Sequence, residues 1–298
     1  MSSGWSWFVI IGTLGSLLAA AVFLFLNRKT SGEETTGHEW DGIEELDNPL
    51  PFWWVGLFVM SIVYAVGYLA WYPGLGNIQG AGGWTSKNQL QEDLAAHEAR
   101  FAPLYARLAS LTPDELAEDR LARQVGRRLF INHCSTCHGI TAEGTVGFPN
   151  LKDDDWIWGE GFNNVKYAIK NGRSAIMPAW GPALGEQGVS DMVQYLLALS
   201  GRDHGATAAS RGRDQFTTIC ASCHGRDGTG RSELGAPNLT DDIWLYGGRA
   251  KDLANTLNNG RTGQMPSFTG VLDDKRIHIL AGYINGLSKE KILDNSPN

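Results

Sequence analysis

Cys134-Ser135-Thr136-Cys137-His138 and Cys220-Ala221-Ser222-Cys223-His224 stand 86 residues apart and contain all four cysteines of this 298-residue chain. Each has the C-x-x-C-H pattern of a c-type haem attachment site. The two thiols add to the two vinyl groups as thioethers, and the adjacent imidazole falls beneath the iron. A C-x-x-C also suits a redox dithiol or half of a zinc site. Neither chemistry requires histidine at the next position, and here histidine follows twice. A disulfide within each motif would close too small a loop to stabilise much. The pattern therefore predicts two covalently held haems c, attached at Cys134, Cys137, Cys220 and Cys223, with His138 and His224 as iron ligands.

Such an iron needs a sixth ligand or an open position, and methionine is common in electron-transfer cytochromes. The chain has five methionines, and two lie in matching contexts. These are Asn171-Gly172-Arg173-Ser174-Ala175-Ile176-Met177-Pro178 and Asn259-Gly260-Arg261-Thr262-Gly263-Gln264-Met265-Pro266. The following proline lacks an N–H and favours extended backbone before it, as in a loop lying across a haem face. Met177 and Met265 are the predicted distal ligands. Met1, Met60 and Met192 have no such context. Arg173 and Arg261 suit either haem propionates or solvent. Trp156 and Trp244 suit either the haem edge or the core.

The repetition extends well beyond the ligands. Gly126 and Phe130 match Gly212 and Phe216, and Pro149-Asn150-Leu151 matches Pro237-Asn238-Leu239. Trp156, Trp158-Gly159, Tyr195 and Leu199-Ser200 match Trp244, Tyr246-Gly247, Tyr283 and Leu287-Ser288, all at an offset of 88. Two modules are predicted, at 121–201 and 208–289, joined by a short linker around 201–209. Each reads as an opening helix into C-x-x-C-H, glycine-containing loops, a middle helix, a methionine loop and a closing helix with apolar residues at helical spacing. The opening-helix glycine permits close approach of another helix, and the closing-helix tyrosine is suited to cover it. Both modules resemble class I cytochromes c, in which the first and last helices cross beside the haem. Lacking repeated contexts, His38, His97, His133, His204 and His278 read as surface or satisfied histidines.

Ahead of the modules, Trp5–Leu26 carries no charge and as a helix would span roughly 33 Å, enough for a bilayer core. Pro51–Trp71 is a second uncharged stretch with tryptophans at its ends, as in an interfacial belt. The expected order is a first transmembrane helix in 1–30, a cytoplasmic acidic loop at 31–49, a second transmembrane helix at 50–72, and a periplasmic linker and helix at 73–120. Arg28 and Lys29, after the first apolar run, place that end in the cytoplasm by the positive-inside rule. No basic residue precedes the run, unlike a cleaved signal peptide. Thr112-Pro113-Asp114-Glu115 has the form of a capping box with proline at the first helical position. The helix it opens is expected to run toward Phe130 and Cys134.

The net charge of −7 argues against nucleic-acid binding. Just before Phe52-Trp53-Trp54 stands W-D-G-I-E-E-L-D-N-P-L-P. With the tandem haem modules, this resembles the dihaem P subunit (subunit III) of cbb(3)-type cytochrome c oxidases over nearly the full length. The resemblance implies an all-α protein: two N-terminal transmembrane helices in a bacterial inner membrane, then two tandem class I cytochrome c domains in the periplasm. It implies a non-catalytic electron-transfer subunit, with a donor cytochrome c on one side. On the other side stand a monohaem cytochrome c subunit and the catalytic haem–copper subunit. It also keeps two pairings open: Met177 over the His138 haem and Met265 over the His224 haem, or the two exchanged. The first helix is a departure, since many members lack it; it reads as a fusion with, or replacement of, a small accessory subunit. A membrane-bound dihaem shuttle for another acceptor and a dihaem peroxidase are the alternatives. The peroxidase needs a vacant iron position, against which two methionine candidates count.

Overall fold

The computed structural model describes residues 1–27, 35–46 and 48–294, with side chains to residue 288. Arg28, Lys29, Asp47 and the first part of the expected acidic loop lie outside the described residues. The chain forms two compact units, residues 1–100 and 101–298.

In the first unit, α1 (Ser3–Leu26) and α2 (Phe52–Trp71) are apolar and long enough to cross a membrane. They run antiparallel. The amide of Asn77, just beyond α2, donates to Ser6 Oγ at 2.9 Å, while Leu24 and Phe25 share a pocket with Val55 and Val59 at the other end. Between them, β1 (Thr35–Trp40) and β2 (Ile43–Leu46) pair as an antiparallel hairpin. Asp41 and Gly42 both have positive φ, 51° and 85°, the backbone of a two-residue hairpin turn. The hairpin was legible from the Asp-Gly pair, although acidic composition alone reads as loop.

In the second unit, the end of α3 (Ser86–Ala109) packs Leu104 and Leu108 beside α4 (Pro113–Glu118). The capping box forms: Thr112 Oγ1 accepts from the Glu115 amide while the Glu115 carboxylate accepts from the Thr112 amide. The helix it starts does not continue to Cys134. It ends at Glu118, and Asp119 opens a new helix, α5 (Arg120–His133), by accepting from the Leu121 and Ala122 amides at 2.8 Å. A second N-cap residue so close to the first divides the predicted helix in two.

Then follow α6 (Ser135–His138), α7 (Phe162–Asn171), β3 (Arg173–Met177), α8 (Gly181–Leu199), α9 (Ala206–Ile219), α10 (Ala221–His224), α11 (Ala250–Asn259), β4 (Arg261–Met265) and α12 (Asp274–Asp294). The unit is helical apart from short strands, and packing does not follow the order of the repeat. The closing helix of the first copy, α8, lies on the opening helix of the second, α9; the last helix, α12, lies on α5 and α7. Gly126 meets Tyr283, and Gly212 meets Asp191 and Tyr195. Glycine and tyrosine do meet, but each across copies.

Two cores result. One joins Leu129, Phe130, Cys134, Val165 and Ile169 to Ile277, Leu280 and Ile284 of α12. The other joins Phe216, Leu253 and Leu257 to Val189, Met192, Val193 and Leu196 of α8. The methionine segments pair with one another: β3 and β4 are antiparallel, with Arg173 opposite Met265, Ala175 opposite Gly263 and Met177 opposite Arg261. Ala175 and Gly263 are repeat equivalents, so the local two-fold axis passes between them.

Candidate haem centres

Each C-x-x-C-H is folded the same way. The opening helix stops at the first cysteine, and one further turn brings the amides of Cys137 and His138 to the Cys134 carbonyl, at 3.1 and 3.0 Å. Cys223 and His224 do likewise at the Cys220 carbonyl, at 3.1 and 2.9 Å. This turn sets both cysteines and the histidine on one short coil. The four thiols are not joined to one another. Burial pushes the Cys134 and Cys220 thiols up to about 11, aided by the neighbouring cysteine. A redox C-x-x-C works with a lowered thiol pKa, so the environment speaks against a dithiol.

Both imidazoles are buried. His138 Nδ1 donates to the Pro149 carbonyl at 2.9 Å, and His224 Nδ1 to the Pro237 carbonyl at 3.1 Å. A carbonyl only accepts, so the proton sits on Nδ1 and Nε2 keeps its lone pair for a metal. Burial holds both pKa values below the ordinary imidazole range, opposed by the proline carbonyl bonds. The neutral, ligating form is thereby favoured. Gly144 and Gly230 make these carbonyl contacts possible. Both have positive φ, and a side chain there would strike the backbone of Phe148–Asn150 or Ala236–Asn238. The carbonyls of Pro149 and Pro237 are functional groups that residue-type reasoning passed over, although the repeated P-N-L marked the place.

The structure brings each methionine to the opposite copy. Met265 packs on the core that holds Cys134, and Met177 on the core that holds Cys220. Equivalent bonds pin the two loops: the Phe268 amide donates to Ile169 O at 3.0 Å, and the Trp180 amide to Leu257 O at 2.8 Å. Alternation along β3 and β4 turns Arg173, Met177, Arg261 and Met265 inward, while Ile176 and Gln264 are exposed.

Several buried polar side-chain atoms among the described residues lack partners. Trp156 Nε1 and Trp244 Nε1 are buried and unbonded, as are Arg173 Nε and Arg202 Nη2. Trp156 packs on the core with Cys134 and Trp244 on the core with Cys220. Leaving such a donor unbonded costs about 1–3 kcal/mol. These four are donors, the fifth such atom, Gln215 Oε1, being an acceptor, and haem would bring two carboxylates, which only accept. The donor set fits that group. Arg173 stacks on Trp158 and Tyr167, and Arg261 on Tyr246 while donating to Thr256 Oγ1. His278 is a satisfied histidine, its Nε2 donating to Leu111 O at 2.9 Å.

Known sequence families match both the N-terminal part and the two modules of the chain. The family described as "Cytochrome C oxidase, cbb3-type, subunit III" matches residues 121–196 and 207–284. That described as "N-terminal domain of cytochrome oxidase-cbb3, FixP" matches 32–79. The chain is 43% identical to the Cbb3-type cytochrome c oxidase subunit CcoP of Rubrivivax gelatinosus, over 97% of this chain and 96% of the relative. It is 38% identical to subunit CcoP of Cereibacter sphaeroides, over 87% and 96%. It is also 38% identical to subunit FixP of Azorhizobium caulinodans, over 86% and 93%.

Proposed function

The chain belongs to the family of cbb3-type cytochrome c oxidase subunit III, and from that premise we propose that it carries two haems c, one on each C-x-x-C-H. It is an electron-transfer subunit of the oxidase, with cytochrome c domains that bind haem c and with apolar helices that associate it with a membrane. The attachment points are Cys134 and Cys137 for the first haem and Cys220 and Cys223 for the second, with His138 and His224 as proximal ligands. Met265 completes the first site and Met177 the second. The observation that carries this reading is the crossed packing of the two methionine loops on the cysteine-bearing cores.

Bound haem supplies one-electron cycling between Fe(III) and Fe(II). One histidine and one methionine would hold each haem, the buried Phe130 and Phe216 would keep water from it, and a proline carbonyl holds each imidazole neutral. Closed histidine–methionine sites raise the potential and leave no position for a substrate. The exchanged closing helices and the β3–β4 pairing, which join both repeats, support transfer of electrons between the two haems. A donor cytochrome c reduces the pair, and the monohaem and haem–copper subunits receive the electrons. Helices α1 and α2 cross the bacterial inner membrane as a hairpin, with the β1–β2 ribbon in the cytoplasm and everything after Tyr72 in the periplasm.

Purification of the full chain in mild detergent tests the reading. It is expected to bring down a haem–copper partner and to show two covalently bound haems per chain. A preparation with one haem or none, or without a copper-containing partner, would overturn it.

A further inference from the structure

The second haem site contains a cation that the repeat does not supply. Arg202 belongs to the connection between α8 and α9, not to either copy. Its backbone amide donates to Leu197 O at 2.9 Å and its Nε to Ser200 Oγ at 2.8 Å. Its Nη1 donates to the Gly248 carbonyl, and its guanidinium lies over the Trp244 ring at 5.1 Å. Gly248 is required there: a Cβ would come within 2.7 Å of Trp244 Cδ1 and 2.9 Å of Arg202 Nη1. The equivalent position in the first copy is Glu160.

Two buried donors in this cluster have no partner, Arg202 Nη2 and Trp244 Nε1. No carboxylate among the described residues pairs with Arg202. A guanidinium N–H withdrawn from water without a counter-charge is costly, and a planar donor of this kind is matched by a carboxylate. Trp244 packs on the core that holds Cys220 and Met177, so the cluster borders the second haem site. Among the described residues no guanidinium is stacked on Trp156, the first-copy counterpart.

We propose that Arg202 and the Trp244 indole N–H form a carboxylate-binding pair that holds a propionate of the second haem. Arg202 is a positioning and potential-setting residue specific to that haem. The proposal rests on the two-haem reading above. Its positive charge counters the propionate and disfavours Fe(III), so it raises the potential of the second haem relative to the first.

The test is a spectroelectrochemical titration of the full-length protein in its complex, comparing wild type with Arg202→Gln, Arg202→Lys and Trp244→Phe. Cys220→Ala marks the second haem, because it leaves a single thioether and displaces that haem's visible band. Arg202→Gln is expected to shift the Fe(III)/Fe(II) equilibrium of the marked haem by about three- to tenfold toward Fe(III), at tenfold a fall of about 59 mV. The other haem keeps its potential. Arg202→Lys restores most of the value, and Trp244→Phe moves the same haem in the same direction by less. Should Arg202→Gln leave the marked haem unchanged, or shift both haems alike with no rescue by lysine, Arg202 only orders the linker and the proposal fails. A wild-type chain lacking a second covalent haem sinks the two-haem reading instead.

Discussion

Each imidazole has its proton fixed by a carbonyl that a nearby glycine allows to approach, and the methionine packed on its core comes from the other copy. That crossing makes a direct prediction. In the reduced full-length protein, Met177→Ala should open the haem held by Cys220 and Cys223 to carbon monoxide and lower its potential, leaving the Cys134/Cys137 haem closed. Met265→Ala should do the reverse. Difference spectra, with Cys220→Ala as the marker of the second haem, read this out, and opening of the same-copy haem would restore the uncrossed assignment. A second residue-scale prediction concerns Asp155. Burial, and then the charges of Asp241 and Asp153, push its pKa from 3.8 up to about 6. The folded state therefore holds this proton more tightly than the unfolded state. Its stabilising contribution is complete below pH 3.8 and is lost as pH rises through about 6. Asp155→Asn should match wild type near pH 3.5 and be more stable at pH 8 by about 1 kcal/mol, after allowance for partial exposure. Thermal melts at the two pH values check it, and a variant no more stable at pH 8 would count against the buried-charge account.

Among the elements, the β3–β4 ribbon explains why N-G-R-x-x-x-M-P occurs twice. Gly172 and Gly260 have φ of 75° and 68°, and a side chain on either would collide with the backbone of the other copy's Met-Pro pair. Each glycine thus seats the partner's methionine. Gly172→Ala should loosen Met265, so that the first haem binds carbon monoxide and loses its methionine–iron charge-transfer absorption, while the second is spared; a spectrum identical to wild type would refute this role. The repeated methionine motif, the capping box and the two apolar helices were all readable from residue type and spacing. The choice of partner helix was not read, because Tyr195 and Tyr283 are equivalent by pattern and either satisfies Gly126. What decides it is connection length. Only residues 200–205 separate α8 from α9, and so short a link makes them antiparallel neighbours. Once α8 is committed to Gly212, α12 is the helix left for Gly126. The unbonded Nη2 of Arg202 lay beyond sequence reasoning for a related reason: the residue has no repeat counterpart, and its significance lies in an absent bond.

For the whole molecule, the exchange splits the core that holds Cys134 between two distant stretches, Val125–Ile169 and Met265–Leu287, while the core that holds Cys220 is drawn from the one continuous stretch Met177–Leu257. A protein ending at Gly205 would retain the first C-x-x-C-H and a methionine 39 residues beyond its histidine, all that an autonomous module needs on the uncrossed plan. In the observed packing it would lack α12 and Met265. Removing α12 takes Ile277, Leu280 and Ile284 from the core of Leu129, Phe130, Val165 and Ile169. Burying such a side chain is worth about 1.5–3 kcal/mol, so the loss is comparable with the entire net stability of a domain, about 5–15 kcal/mol. The truncated chain is therefore expected to be poorly folded and, where haem is attached, to bind carbon monoxide readily. Supplying residues 206–298 as a separate polypeptide should restore a closed first haem, because that fragment brings both the missing helix and the missing methionine. A truncated chain that alone gives a stable haem with histidine–methionine spectra would show that the copies fold independently and would dissolve the exchanged architecture.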